Sequence, residues 1–208
     1  MTQTSHDEKV FIMKRLLFIV ILTFNFNSFT NANDIKNFEI EGMSIGDSSL
    51  DYFSKKFINK QLESKFTYFY KDKKFAIINT NLQSTKYERI SLTIKPNDKE
   101  FTIHGIKGSI NFENRLQECL TLRDKIAKNI QNLFKDLNII NNEGKHGFDK
   151  TGESLFYAKE FEFSNGAEVR IYCMNWSKKI EEMNNYKDQL NVLLNSKEMM
   201  KFLSNDPF

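Results

Sequence analysis

Apolar positions along this chain recur either every three to four residues or every second residue, and the switches between these rhythms mark its elements. Ser44 with Asp47 three residues on has the form of a capping box, so a first helix is predicted there with Ile45, Ser49, Leu50 and Phe53 on its buried face. Ser54 caps a second short helix through Leu62, with Phe57, Ile58 and Leu62 inward. From Lys65 the period becomes two. Phe66 to Tyr70 and Lys74 to Asn79 read as strand, broken by Lys71-Asp72-Lys73. Tyr87 to Lys95 alternates through Ile90, Leu92 and Ile94, and Pro96-Asn97-Asp98 turns the chain into a partner strand from Glu100 to Phe112. Within that strand the apolar parity changes at Gly105, which predicts a bulge beside His104.

The second half opens on the longest apolar stripe. Asn114 with Gln117 starts a helix to about Leu137, carrying Leu116, Cys119, Leu120, Ile126, Ala127, Ile130, Leu133, Phe134 and Leu137. Residues 138 to 154 are polar, contain three glycines and read as a loop. A hairpin follows, Leu155 to Ser164 and Glu168 to Trp176. A two-residue Asn165-Gly166 turn would pair Phe163 with Glu168, so a three-residue loop, Asn165-Gly166-Ala167, is expected. It pairs Phe163 with Val169, Phe161 with Ile171 and Glu162 with Arg170, and puts Cys173 on the inward face. Lys178 to Lys187 is polar and gives no clear element. Gln189 to Asn195 reads as a third strand, and Ser196 caps a terminal helix with Met199, Met200 and Leu203 inward.

The order is helix, three strands, helix, three strands, helix. Consecutive strands imply an α+β fold of antiparallel sheet with helices packed on one face. Halves at 33–112 and 113–208 leave open a helix-plus-three-strands repeat, although no residue-level identity links them.

Met13 to Ala32 changes the picture of where this domain works. Lys14 and Arg15, the apolar run Leu16 to Phe24 and the small-residue site Thr30-Asn31-Ala32 form a secretory signal peptide, with residues 1–12 read as an upstream extension. Asn25, Asn27 and Ser28 cut the apolar run short of the roughly 20 residues a membrane span needs. The expectation is a periplasmic or secreted domain at 33–208 without a stable membrane anchor. Compartment then decides the two cysteines: Cys119 and Cys173 form one disulfide, stapling the long helix to the sheet.

Charge argues against nucleic acid. Removal of residues 1–32 takes out Lys9, Lys14 and Arg15 against Asp7 and Glu8, so the net charge falls from +3 to +2, and basic residues alternate with acids throughout. The 20 phenylalanines supply a packed core, so disorder is not expected.

The search for chemistry finds no catalytic set. Asp149-Lys150-Thr151-Gly152 matches the phosphorylation motif of P-type cation pumps, but an exported domain without membrane spans or an ATP site lacks its context, and a turn before a strand is the expected role. No H-x-H, H-E-x-x-H or G-x-S-x-G occurs, and no metal or cofactor is expected. His104 reads as a half-exposed strand residue. His146, Asp149 and Lys150 in the polar loop, near Trp176 at the hairpin end, form a candidate ligand rim.

Four segments carry a resemblance: Phe38 to Ser54, Lys95 to Phe112, the DKTGES run from Asp149 and the NWSK run from Asn175. Together they resemble small exported proteins of marine alphaproteobacteria. That likeness implies an envelope location and transfers no catalytic residue. Gly42-Met43-Ser44, opening a helix before strands, is similar more weakly to the fold of outer-membrane assembly accessory lipoproteins and β-lactamase-inhibitor-like domains, from which the chain departs in lacking a lipobox cysteine. The expected function is a non-catalytic interaction or binding module acting through a sheet surface or the loop rim, on another envelope protein or a small solute. The alternatives are a small hydrolase with carboxylates from distant segments, or a small-solute-binding protein.

Overall fold

A computed structural model describes residues 34–134, 137 and 139–205. The stretches read as an upstream extension (1–12) and a signal peptide (13–32) lie outside the described residues. Among the described residues the fold is α+β, with one eight-stranded, wholly antiparallel sheet and four α-helices. Helix α1 (Lys55–Leu62) precedes strands β1 (Tyr68–Phe69), β2 (Ala76–Asn79), β3 (Arg89–Ile94) and β4 (Ile103–Asn111). Helix α2 (Leu116–Leu133) precedes β5 (Ile139–Lys145), β6 (Leu155–Glu162), β7 (Glu168–Asn175) and β8 (Gln189–Asn195), with α3 (Lys178–Asn184) between the last two and α4 (Lys197–Leu203) closing the chain. The strand order is β1-β2-β3-β4-β8-β7-β6-β5. Each half is therefore a helix followed by a four-strand meander, and the last strands of the two meanders pair with each other at the centre.

Period-two alternation gives the sheet two different faces. One face carries Ala76, Ile78, Ile90, Leu92, Ile106, Leu190, Leu194, Val169, Ile171 and Cys173, each 3% exposed or less. Helix α2 packs over β6, β7 and β8. Its buried residues are Cys119, Leu122, Ala127 and Ile130. Burying one side chain of the size of Leu122 or Ile130 stabilises by roughly 1.5–3 kcal/mol. Phe38, Phe134 and Phe163 stack beyond the helix end, at centroid distances of 4.8 to 5.9 Å. Cys119 and Cys173 form the disulfide, joining helix to sheet with Cα atoms 6.0 Å apart. No helix among the described residues is long and apolar enough to cross a membrane.

Several elements differ from the sequence reading. The helix expected from Ser44 does not form. Asp47 does accept from the Ser44 N–H at 2.8 Å, as a capping box requires. However, the Gly46 N–H donates to Ile103 O and the Ile103 N–H to Asp47 O, both at 2.9 Å, so the segment pairs with the start of β4 and only a 3-10 turn, Ser49–Asp51, follows. Long-range pairing here outcompetes the local helix signal.

Each meander has four strands where three were expected. The additional strand in the second half is β5, in the stretch read as a polar loop. Asn141, Asn142, Glu143 and Lys145 are exposed because β5 is a sheet edge, held to β6 by main-chain pairing that leaves no apolar rhythm. Helix α3 likewise fell in the polar run after Trp176. Only its Ile180 is buried, too little for a helical period to show.

Helix α2 ends at Leu133, short of Leu137, and its start does not use Asn114 as a cap. Asn114 has φ +54°, and its N–H donates to Asp188 Oδ2 at 3.3 Å. The hairpin loop is three residues long but lies one residue earlier than expected, at 164–166. The Phe163 N–H donates to Ala167 O at 2.9 Å, and Gly166 takes the left-handed conformation (φ +84°) that closes such a loop. Phe161 therefore pairs with Val169 and Glu160 with Arg170. The two-residue shift keeps parity, so the inward face is unchanged. The bulge is present: Thr93 pairs with Gly105 and Ile94 with Ile103, leaving His104 as the additional residue.

Candidate functional site

The rim residues come from the loop between β5 and β6 and from the end of β7. The His146 N–H donates to Ser154 O at 2.8 Å, which closes the loop beyond the last strand pair. Inside it Asp149 is buried. Its Oδ1 accepts from the Thr151 N–H (2.9 Å) and hydroxyl (2.7 Å), and its Oδ2 from the Ser154 N–H (3.0 Å), the Ser154 hydroxyl (2.6 Å) and the Ser177 hydroxyl (2.8 Å). These donors, Ser154 foremost and then Thr151, hold the carboxyl far below the usual carboxylate range. Ser177 is also the N-cap of α3. Asp149 is thus a clasp between the β5–β6 loop and α3, and both oxygens are fully engaged. The four-residue pump motif is a turn, as the sequence context implied.

His146 and Trp176 do meet, with ring centroids 4.7 Å apart and edge to face. Tyr186 joins Trp176 at 4.8 Å and Phe148 joins Tyr186 at 6.0 Å, so the rim is an aromatic cluster. His146 Nδ1 accepts from the Phe148 N–H at 3.3 Å, which leaves the proton on Nε2. Burial pushes this imidazole down, against the opposing pull of the Asp149 charge. Lys150 stays apart: it is exposed, and its amine donates to Gly147 O at 3.2 Å. Asp188 anchors the other side, accepting from the Trp176 N–H at 2.7 Å.

His104 is buried at the bulge, its ring 5.2 Å from that of Phe75 and its Nδ1 3.2 Å from the Ser196 hydroxyl. Ser196 caps α4, so this histidine seats the terminal helix. Burial, with Lys95, pushes it below its ordinary value.

The second face of the sheet is polar; the sequence reading expected a sheet surface but named none of its residues. Pairing aligns Glu160, Arg170, Leu193, Lys107, Ser91 and Asn79 in one row across six strands. The next row holds Ala158, Tyr172, Asn191, Ser109 and Arg89. On one side Arg170 Nε lies 3.1 Å from both Glu160 and Glu168. Burial raises the Glu168 carboxyl, and the neighbouring Arg170 charge opposes that rise. Beside Glu168 a cleft of 440 Å³ opens between the hairpin loop and α4, bordered by Glu162, Lys197 and Lys201.

Towards the centre the charge is uncompensated. Asn191 is fully buried; its Oδ1 accepts from the Ser109 hydroxyl at 2.7 Å, and among the described residues its Nδ2 has no hydrogen-bond partner. The Lys107 amine makes no hydrogen bond or ion pair among the described residues, and burial with the nearby Arg89 charge pushes it down. The Tyr172 phenol is pushed up to about 12 by burial.

Tyr70, next to β1, is pushed up to about 12 by burial, with the phenols of Tyr68 and Tyr172 adding to the rise.

Among the described residues no group of three or more His, Cys, Asp or Glu is placed to hold a metal ion. No protein-family model, curated protein or solved structure matches the chain.

Proposed function

We propose that the chain is an exported, non-catalytic binding module whose working surface is the polar face of the sheet. The observation that carries this reading is Lys107: a half-buried amine with no hydrogen bond or ion pair among the described residues, near the centre of a sheet whose other face is closed by helices. A ligand on this face supplies the partner that the amine lacks, at about 1.5–3 kcal/mol for a hydrogen bond to a charged group. The envelope location rests on the signal-peptide pattern at 13–32, on the disulfide and on the likeness to small exported proteins. The aromatic rim at His146 and Trp176 is the second candidate surface, favoured by the exposure of Phe148 and Tyr186.

Native mass spectrometry of the protein purified from its own envelope separates the two. A co-purifying small molecule lost in Lys107→Met and retained in His146→Ala supports the sheet face. Retention in Lys107→Met with loss in His146→Ala overturns it in favour of the rim.

A further inference from the structure

We infer that the occupant of the polar sheet face is a small oxyanion, a carboxylate or phosphate group, received by Lys107 and Tyr172 with Arg89 at the margin. This rests on the reading of that face as the working surface, and it adds the chemical class of the ligand. The argument is one of register and donor type. Tyr172 and Ser109 lie directly opposite Asn191 on its two sides, and Lys107 is two residues from Ser109 on the same strand face. Same-face diagonal neighbours in an antiparallel sheet sit roughly 7–8 Å apart, within reach of a lysine and a tyrosine converging on one group. Arg89 pairs with Ser109 and so flanks the same position from β3.

What these residues offer is donors. A lysine amine, a phenol and a guanidinium present N–H and O–H groups, and the one carbonyl in the cluster, Asn191 Oδ1, is already taken by Ser109. Neither Lys107 nor Arg89 has a carboxylate partner among the described residues, whereas the third cation of this face, Arg170, is held between Glu160 and Glu168. The acids of the face are thus gathered at β6 and β7, and the β3, β4 and β8 side is left with two cations. A ligand rich in acceptors and carrying negative charge pairs with Lys107 and relieves the repulsion between Lys107 and Arg89. Charge-assisted hydrogen bonds are roughly twice as strong as neutral ones, so the anion is preferred over a neutral solute of the same size.

Titration of the full, oxidised chain with inorganic phosphate and, in parallel, malonate tests the assignment by calorimetry and by ¹H–¹⁵N spectra. The expected result is saturable binding of at least one anion, with the largest shifts at the Asn191 side-chain amide and the backbone amides of Lys107, Ser109 and Tyr172. Lys107→Met should weaken it about tenfold or more, the loss of one charge-assisted hydrogen bond, and Lys107→Arg should retain it. An unchanged melting temperature in Lys107→Met establishes that the variant is folded. Binding of equal strength in Lys107→Met, or no saturable shift with either anion, overturns the assignment. Trehalose, a neutral probe, separates this failure from failure of the underlying reading. Saturation of the same amides by trehalose alone removes the anion and keeps the face. Shifts confined to His146, Phe148 and Trp176 remove both.

Discussion

Cys119, on the first turn of α2, is bonded to Cys173, on the strand next to the sheet centre, so the helix is fixed over the apolar face by a bond that closes a 54-residue separation. In the chain-entropy account a loop of that length contributes about 4 kcal/mol by restricting the unfolded chain. Cys119→Ala should therefore lower the melting temperature on the order of ten degrees in oxidising buffer and little in reducing buffer. Equal shifts in both buffers would show that the bond does not carry this stability.

Asp149 binds the β5–β6 loop to the N-cap of α3 through Ser177. Its carboxyl is depressed in the folded chain, so the stability it contributes is fully present above the ordinary aspartate value of about 3.9 and is lost as pH falls further through the folded value. Asp149→Asn should be destabilised at neutral pH. Its stability should also fall less steeply than that of the unaltered chain below about pH 4. Parallel acid-unfolding curves for the two proteins would refute the clasp.

Gly108 lies under the ring of Tyr87. A Cβ at this position would sit 2.5 Å from Cδ1 and Cε1 of that ring, closer than any real contact. Gly108→Ala should be destabilising by about 1–3 kcal/mol, the usual range for overpacking. Adding Tyr87→Ala should recover part of the loss, giving a double-mutant cycle with a favourable coupling. Strict additivity in urea denaturation would mean that the ring does not set the limit.

The histidines report burial. His104 and His146 are both pushed down, mainly by burial. Their folded values lie below the ordinary 6.5, so protonation favours the unfolded chain and each draws down stability as pH falls below about 6.5. Midpoints under that value for both Hε1 resonances are expected in an NMR titration. A midpoint above it at either residue would contradict the seat assigned to its ring.

Much of this fold is written in side-chain rhythm. The caps at Ser54 and Ser196, the bulge beside His104, the inward face of the hairpin and the partner of Cys119 all follow from local residue types and parity. What escaped the rhythm is what burial does not pattern. Strand β5 has exposed side chains because it is an edge, and α3 buries one side chain. The Ser44 helix signal lost to pairing with Ile103, which no local window contains. For the site, His146 and Trp176 were legible as loop and strand-end residues that meet, while Lys150 stays outside and Asp149 serves the fold. Lys107, Tyr172 and Asn191 were hidden because each is an ordinary outward residue of its own strand. Only the order β4-β8-β7 brings them together, from positions as far apart in sequence as Lys107 and Asn191.

The most direct test of the account is to titrate the isotopically labelled chain with the small-molecule fraction of its native envelope and map the amide shifts. The account predicts saturable shifts clustered at Lys107, Ser109, Tyr172 and Asn191 on the polar face. Shifts clustered instead at Phe148, Trp176 and Tyr186, with the polar face unmoved, would contradict it.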